Sequence, residues 1–446
     1  MMPEIFVDPM FATFVGVLVA GSVFMLTLIS TNAALVLLIV AMLFSPEMNL
    51  AQVPGRSVVI RFDDLLLIVI FFSWLAKLAI NKQLGLLRST PMNVPVGLYI
   101  ASCVVSTVLG ILRGDVSNLV AGTFYLLKSL EYFVLYFMVV NIVQHPGQIR
   151  IFLRFLLLTA AAVGLFSYFQ IASHGPGYRI TAPFEGKAEP NTLAGYLVLM
   201  IALCLGQLLC RASPNGRVRA LALTLFLLPP LIFTYSRGGY LSFLTMYVTL
   251  IFLSTQNRLP LAAVLAASLL LAPMVLPHTV FDRLADTFDP RSQYEIGNMR
   301  IAGSPAGRIF VWKYIIEKWS ENPAFGLGIT GIGFVDTQYG LLVGEVGIVG
   351  LLAFFFVQGR LWMVCYQAYR TVTDPDARGL CLGFLVGHIG MMAHALSGNV
   401  FLIVRIMEPF WFIAAMVTVL PHLKEVLPAA VIPKPMWRAG PQLARP

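Results

Sequence analysis

The chain has 446 residues, of which 58% are hydrophobic and only 11% are charged. Soluble domains carry about 25% charged residues, so a soluble globular domain is excluded. The formal net charge of +9 would suggest nucleic acid in a soluble protein. Here the basic residues sit mostly in short connectors between apolar runs, and a membrane surface accounts for them without a nucleic-acid partner.

Apolar runs, several close to the ~20 residues that cross a ~30 Å hydrocarbon core, fall at 11–29, 32–44, 64–80, 94–112, 119–144, 151–171, 191–210, 219–235, 239–254, 260–276, 341–358, 380–397 and 401–420. These runs predict an all-α polytopic membrane protein of 12 or 13 transmembrane helices, depending on whether the first two form one broken helix. Met1 to Met10 carry Glu4 and Asp8 but no Lys or Arg. A cleavable signal peptide is therefore not expected, and the first helix should stay in the membrane.

Basic clusters at Lys77/Lys82/Arg88, Arg150/Arg154, Arg211/Arg217/Arg219, Arg360/Arg370/Arg378 and Lys424/Lys434/Arg438/Arg445 all fall on one side if the spans alternate. That side is expected to be the cytoplasm. The opposite side would hold 45–63, 113–118, 172–190, the tight turn 235–239 and the long loop 277–340. The N-terminus comes out periplasmic with 13 helices and cytoplasmic with 12. The loop 277–340 is the one soluble-like element, and such length is usually functional. Ser304-Pro305 reads as a cap followed by a first-turn proline. Ile309, Trp312, Ile316 and Trp319 then recur at helical spacing, which predicts an amphipathic helix at the membrane surface ending at Asn322-Pro323. Gly326, Gly328, Gly331 and Gly333 read as a flexible stretch before the next span. The chain thus divides into N-terminal helices (1–180), central helices (181–276), the loop (277–340), C-terminal helices (341–420) and a Pro-rich cytoplasmic tail (421–446).

An ionisable residue inside a membrane is costly and so a functional candidate. The set is Lys128, Glu131, Arg237, Glu345, His388, His394, Arg405 and Glu408. Arg237 lies in Thr234-Tyr235-Ser236-Arg237-Gly238-Gly239, between two apolar runs. It reads either as a bidentate phosphate ligand or as an arginine snorkelling to the interface. Arg308 opens the amphipathic helix and reads equally as a ligand or a solvated loop arginine. Arg405 and Glu408, three apart, share a helix face and read either as site residues or as a structural pair. Lys128 and Glu131 at the same spacing read as a structural pair. His388 and His394, six apart, do not share a face and read as packing or hydrogen-bonding residues. Asp374-Pro375-Asp376 matches a metal-binding DxD pattern but sits on the cytoplasmic side, and is read as chance. His174, His278, Glu185 and Glu189 have no metal-ligand spacing. Cys103, Cys204, Cys210, Cys365 and Cys381 lie in or beside apolar runs, against a disulfide framework or a thiolate metal site. No metal or cofactor is expected.

Several stretches together resemble the O-antigen ligase and O-antigen polymerase superfamily. They are Pro183-Phe184-Glu185-Gly186 through Glu189-Pro190-Asn191-Thr192-Leu193-Ala194; Ser236-Arg237-Gly238-Gly239; Gly307-Arg308, Trp312, Asn322-Pro323, Gly326 and Gly328; and Asp336-x-x-Tyr339, Glu345, Gly347 and Gly350. The resemblance covers roughly 180–360. It departs where ligases carry His-Asn-x-Tyr and this chain has Asp336-Thr337-Gln338-Tyr339, so a histidine base is not carried over. That form, with Ser397-Gly398-Asn399, Arg405 and Glu408-Pro409, looks more like the exopolysaccharide polymerase branch. The resemblance implies a GT-C-like membrane fold in a bacterial inner membrane. It implies metal-independent glycosyl transfer on the periplasmic face, from undecaprenyl-pyrophosphate-linked oligosaccharide. A chain-length regulator is a further implied partner. Arg237, Arg308 and Arg405 would bind the pyrophosphate. Asp336, or else Glu345, would be the general base, unless Asp336 only orients the acceptor or caps a helix. Tyr339, Glu408 and Ser236 would support the acceptor side. The competing readings are a ligase to lipid A core or protein, and a transporter or flippase of lipid-linked sugars lined by Lys128, Glu131, Arg405 and Glu408.

Overall fold

The computed structural model describes residues 9–53, 56–80, 88–175, 177–186, 188–285, 293–296, 299–302, 305–333 and 335–423. Ser304 and the tail from 424 onward, both read from the sequence above, lie outside the described residues. The chain is an all-α polytopic membrane protein with two short hairpins. In order the elements are α1 (Pro9–Ile29), α2 (Thr31–Phe44), β1 (Glu47–Val53), β2 (Arg56–Arg61), α3 (Phe62–Ile80), α4 (Asn93–Arg113), α5 (Leu119–Ile142) and α6 (Pro146–His174). They continue with α7 (Pro190–Cys210), α8 (Pro214–Phe233), α9 (Arg237–Leu253), α10 (Arg258–Val275), α11 (His278–Ala285), β3 (Gln293–Ile296) and β4 (Met299–Ala302). Last come α12 (Pro305–Glu321), α13 (Gln338–Thr371), α14 (Pro375–His394) and α15 (Val404–Val419).

Every apolar run read from the sequence is a helix. Eight of the described helices are long and apolar enough to cross a membrane, and Leu18–Ile29, Thr31–Phe44 and Arg237–Leu253 are shorter apolar helices. Ser30 alone separates α1 from α2; its hydroxyl accepts from Ala33 N–H and caps the second helix. The centre and the rim are distinct. In α7, 83% of the membrane-length window is buried, and in the span Val404–His422 that begins with α15, 89%, against 6% in α10, so α7 and α15 lie at the core and α10 faces outward. α7 packs against α14 along a seam of small residues, with Gly206 against Gly379 and Gly383. Small side chains let backbones approach where no hydrophobic effect drives helices together.

α13 is broken at Gly347, which has φ 64°. The groups freed by the break are taken up by the preceding segment. Leu327 N–H donates to Gly344 O and Gly328 N–H to Glu345 O, both at 2.9 Å. In return Ile348 N–H donates to Pro323 O (3.0 Å) and Val349 N–H to Ala324 O (3.1 Å). Irregular backbone at membrane depth is tolerated only when its polar groups are satisfied in this way. The glycine stretch after α12 is therefore not the flexible linker expected from its composition. It is pinned further by Ser106 Oγ donating to Phe325 O (2.5 Å) and by Arg113 Nη2 donating to Gly326 O (2.6 Å).

α12 matches the predicted amphipathic helix in extent. It also has an inward stripe that the spacing did not show. Ile315 is fully buried with Leu327, Ile332, Val335 and Leu341, flanked by Val311 and Tyr314. Trp312 and Ile316 are exposed instead, at 39% and 53%. Two apolar stripes lie one residue apart on this helix: the one predicted to meet the membrane is exposed, and a second, around Ile315, packs against the protein.

Candidate active site

One end of the bundle gathers the N-termini of α7, α9, α13 and α15 and the C-terminus of α14. The α8–α9 turn is built on Tyr235, held at φ 48°. Ser236 then caps α9 by accepting from Gly239 N–H at 3.0 Å. The same hydroxyl donates to Asn191 Oδ1 at 2.7 Å, which ties the start of α9 to the start of α7. Gly238 has to be glycine: an added Cβ would overlap Ser397 Oγ and the His394 ring. Arg237, half-buried, is the first residue of α9. It thus opens a helix whose N-terminal dipole and N–H groups favour an anion.

Asp336 is exposed and stands two residues before α13. Thr337, not Asp336, holds the N-cap position, so Asp336 is not the helix cap. A point beside Gly398 lies 4.0 Å from both Asp336 Oδ1 and Asn191 Nδ2. The acid and the start of α7 thus border one gap. The rim of that gap is fixed by Gln338 N–H to Ala395 O (3.2 Å), Phe401 N–H to Gln338 Oε1 (3.0 Å) and Asn399 Nδ2 to Val335 O (2.7 Å). Tyr339 donates its hydroxyl to Met392 O at 2.8 Å and stacks on Phe355, which locks α13 to α14.

The remaining sequence candidates go elsewhere. Arg405 is 1% exposed and does not pair with Glu408. Its Nη1 donates to Leu43 O and Pro183 O, both at 2.7 Å. Its Nη2 donates to Ser45 O (3.0 Å), Phe184 O (3.2 Å) and Glu47 Oε1 (3.3 Å). The guanidinium staples the start of α15 to the end of α2 and to the 183–185 loop. Glu408 is fully buried and meets Arg61 instead, at 3.4 Å. Arg61 also donates to Asp63 (Nε to Oδ1, 2.9 Å), and Lys128 bridges Asp64 (2.5 Å) and Glu131 (2.8 Å). Asp63, Asp64 and Glu408 present oxygens close enough together for a cation, but Arg61 and Lys128 already supply positive charge there. Arg61, Asp63 and Asp64 were not singled out from the sequence because they straddle a loop–helix junction. Glu345 is buried, and its Oε1 accepts from Thr330 N–H at 2.9 Å in the segment that fills the α13 break. Arg308 lies in the first turns of α12, and its side chain is outside the described part. Asp374 caps α14 at Ala377 N–H (2.9 Å), and Asp376 pairs with Arg211 (3.0 and 3.2 Å), so both carboxylates have structural partners at the opposite end of the bundle.

Two residues are more prominent here than in the sequence. His394 is fully buried against Gly195 and Gly238, and neither ring nitrogen has a hydrogen-bond partner among the described residues. Glu185 is half-buried in the loop before α7, where its Oε2 accepts from Glu189 N–H at 3.2 Å. Burial pushes the Glu185 carboxyl up to about 8, over the opposing pull of the Glu189 N–H bond and of Arg405.

None of the curated proteins matches the chain. Residues 220–355 match the family model described as O-Antigen ligase. That stretch runs from α8 through the Ser236–Gly239 turn, α12 and Asp336 to beyond the break in α13. Its members are membrane glycosyltransferase-like enzymes acting on lipid-linked glycans. Over these residues the chain is similar to the O-antigen ligase domain, in agreement with the resemblance to the O-antigen ligase and polymerase superfamily read from the sequence.

Proposed function

We propose that the chain polymerises undecaprenyl-pyrophosphate-linked oligosaccharide repeats at the periplasmic face of a bacterial inner membrane, without a metal. The observation that carries this reading is the gap bordered by Asn191 and Asp336 at the meeting of helix N-termini, with Arg237 at the head of the helix that Ser236 ties to Asn191. It offers fixed positive potential on one side and an exposed carboxylate on the other. The pyrophosphate is held by Arg237 and the α9 N-terminus, with Arg308 from α12. As the sugar is transferred, negative charge grows on the leaving pyrophosphate, and preorganised donors stabilise that charge. A pyrophosphate is a good leaving group, so no Lewis acid is required. Asp336 engages the acceptor hydroxyl of the next lipid-linked repeat. Ser236 and Tyr339 hold the turn and the α13 start in place. Arg405 contributes through the loop it clamps, and Glu408 and Glu345 through the frame behind the site. The growing chain and a chain-length regulator are the expected partners.

The aspartate where ligases carry a histidine supports the polymerase over transfer to lipid A core or protein. The test is the purified chain in lipid vesicles, given the lipid-linked repeat extracted from cells lacking this protein. A ladder of repeat multiples on the lipid carrier is expected. A single transfer to lipid A core or protein, with no ladder, would make it a ligase. Movement of the repeat across the bilayer without any new glycosidic bond would make it a transporter.

A further inference from the structure

At the end of the bundle opposite the candidate active site, a recess of about 570 Å³ opens between the start of α6, the end of α7, the start of α14 and the end of α15. Five charged side chains line it: Arg150 and Arg154 of α6, Arg211 just past α7, and Asp374 and Asp376 at the head of α14. Three of the five are already engaged. Asp374 caps α14 through Ala377 N–H, and Asp376 takes both arms of Arg211, at 3.0 and 3.2 Å. Arg150 and Arg154 are exposed, and neither has an ion pair or hydrogen bond among the described residues. Four apart on one helix, they share a face and bring two free positive charges to one recess.

The floor of the recess is apolar. Leu153, Leu380 and Leu420 are buried there, and Leu157 continues the floor along α6 toward mid-span. A soluble anion gains nothing from such a floor, whereas a lipid buries its glycerol and first methylenes on it. The depth fits as well. α6 has 29 residues, about 44 Å at 1.5 Å per residue, against a hydrocarbon core of ~30 Å. The excess lets its first turns stand in the headgroup layer, and Arg150 and Arg154 lie roughly 6 and 12 Å from its start. An unpaired arginine is costly in hydrocarbon but not among phosphates. Beside Arg154 on the same helix, Ile151 and Leu158 are exposed at 43% and 62%, a surface for acyl chains. The segment after Leu423 carries Lys424, Lys434, Arg438 and Arg445 against the single acid Glu425, so its charge has the wrong sign to fill the recess.

We propose that this recess holds the phosphate of an anionic membrane lipid, in the leaflet opposite the candidate active site. Basic pockets between transmembrane helices bind such headgroups. Arg150 and Arg154 donate to the phosphate oxygens, and each guanidinium fork matches two of them. Arg211 stays with Asp376 and forms the far wall. The acyl chains run outside the recess, along the exposed apolar face of α6. One bound lipid therefore ties the start of α6 to the ends of α7 and α14 that form the opposite wall. This site does not depend on the glycosyltransferase reading.

The test uses the full chain, purified in detergent and stripped of co-purified lipid, at physiological ionic strength. It is titrated with phosphatidylglycerol, with phosphatidylethanolamine or with inorganic phosphate. Native mass spectrometry counts bound lipid, and the melting midpoint is followed in parallel. Wild type should retain one phosphatidylglycerol and gain in midpoint with its concentration. Phosphatidylethanolamine should do neither, because its ammonium faces the arginines, and inorganic phosphate lacks the part that meets the floor. The double variant Arg150→Gln/Arg154→Gln should bind phosphatidylglycerol about 30-fold more weakly and lose the gain in midpoint. Arg360→Gln/Arg370→Gln removes the same charge from two exposed positions of α13 outside the recess, and should bind as wild type does. Equal responses of wild type to the two lipids overturn the site, and this comparison holds whether or not the variants fold. Undiminished binding in the Arg150/Arg154 variant, or equal losses in both double variants, overturns it too. An equal gain in midpoint with inorganic phosphate makes the recess a site for a soluble anion and overturns the lipid.

Discussion

At the scale of the residue, the proposed site requires Arg237 to supply geometry as well as charge. Arginine presents a planar fork that matches two phosphate oxygens, whereas lysine is a point charge. Arg237→Ala should lower the rate of lipid pyrophosphate release about 10²–10³-fold, as expected for loss of one transition-state donor. Arg237→Lys should recover only part of it. A wild-type rate in the alanine variant would make Arg237 an interfacial arginine. Asp336 invites a different measurement, because its proposed work is to accept a hydrogen bond. Asparagine can accept that bond but cannot take a proton. Asp336→Asn should therefore raise the acceptor KM and leave kcat within about tenfold of wild type, while Asp336→Ala loses both. A collapse of kcat in the asparagine variant, with donor binding intact, would make Asp336 the general base. The sequence made Arg237 and Asp336 visible because each sits in a short polar motif at the head of an apolar run. It did not show that the loop of Pro183 and Phe184 would be held by Arg405, more than two hundred positions along the chain. Arg405 was visible as a buried charge, but no spacing rule could show that its partners would be backbone carbonyls.

At the scale of the element, the broken helix α13 carries the start of the site. Its upper part, from Gln338 to Val346, holds Tyr339 against α14, and its lower part continues to Thr371. The junction exists because Gly347 takes φ 64° and its bare Cα meets the Ala324 carbonyl. Gly347→Ala should cost at least about 1–3 kcal/mol from the backbone conformation alone, and the overlap adds to it. A clear fall in the thermal midpoint in detergent is expected. Gly97→Ala in α4 has open space around it and should leave the midpoint unchanged or slightly raised. Equal behaviour of the two variants would mean that the break is not held by Gly347. The helices themselves were legible, since each apolar run announces one. The break was not, because glycine in a sequence signals freedom and says nothing about what will occupy the space. Here the 323–328 segment occupies it, and a stretch that composition marks as flexible becomes part of the wall. α12 shows the same limit: its length followed from Pro305 and Asn322-Pro323, but its second stripe, with Ile315 buried, was set by Leu327 and Ile332 from the segment beyond it.

At the scale of the whole molecule, buried charges join helices that are far apart in sequence. Arg61 and Asp63 at the head of α3 meet Glu408 of α15, and Lys128 of α5 reaches both Asp64 and Glu131. Removing one partner leaves the others uncompensated in a low-dielectric interior. Lys128→Met should therefore destabilise the bundle by about 3–5 kcal/mol, read as a lower melting temperature and lower yield in detergent. The orientation of the bundle decides whether the proposed chemistry is possible at all. Arg211, Arg217 and Arg219 lie at the end of α7 and the start of α8, and the Arg211–Asp376 pair binds that end to the start of α14. Arg237, Asp336 and Glu185 lie at the other end, with α12. Positive charge in short loops marks the cytoplasmic side, so the site end should face the periplasm. Four native cysteines are buried and Cys210 is partly exposed, so Cys210→Ser gives a quiet background. In that background, Glu321→Cys on α12 and Asn215→Cys at the start of α8 each place one thiol at an exposed position. A membrane-impermeant maleimide applied to intact spheroplasts should label Glu321→Cys at once. It should label Asn215→Cys only after the membrane is opened. The reverse pattern would put Arg237 and Asp336 in the cytoplasm, on the side of the membrane where a periplasmic donor glycan is absent, and would end the proposed reaction whatever the fate of the individual residues.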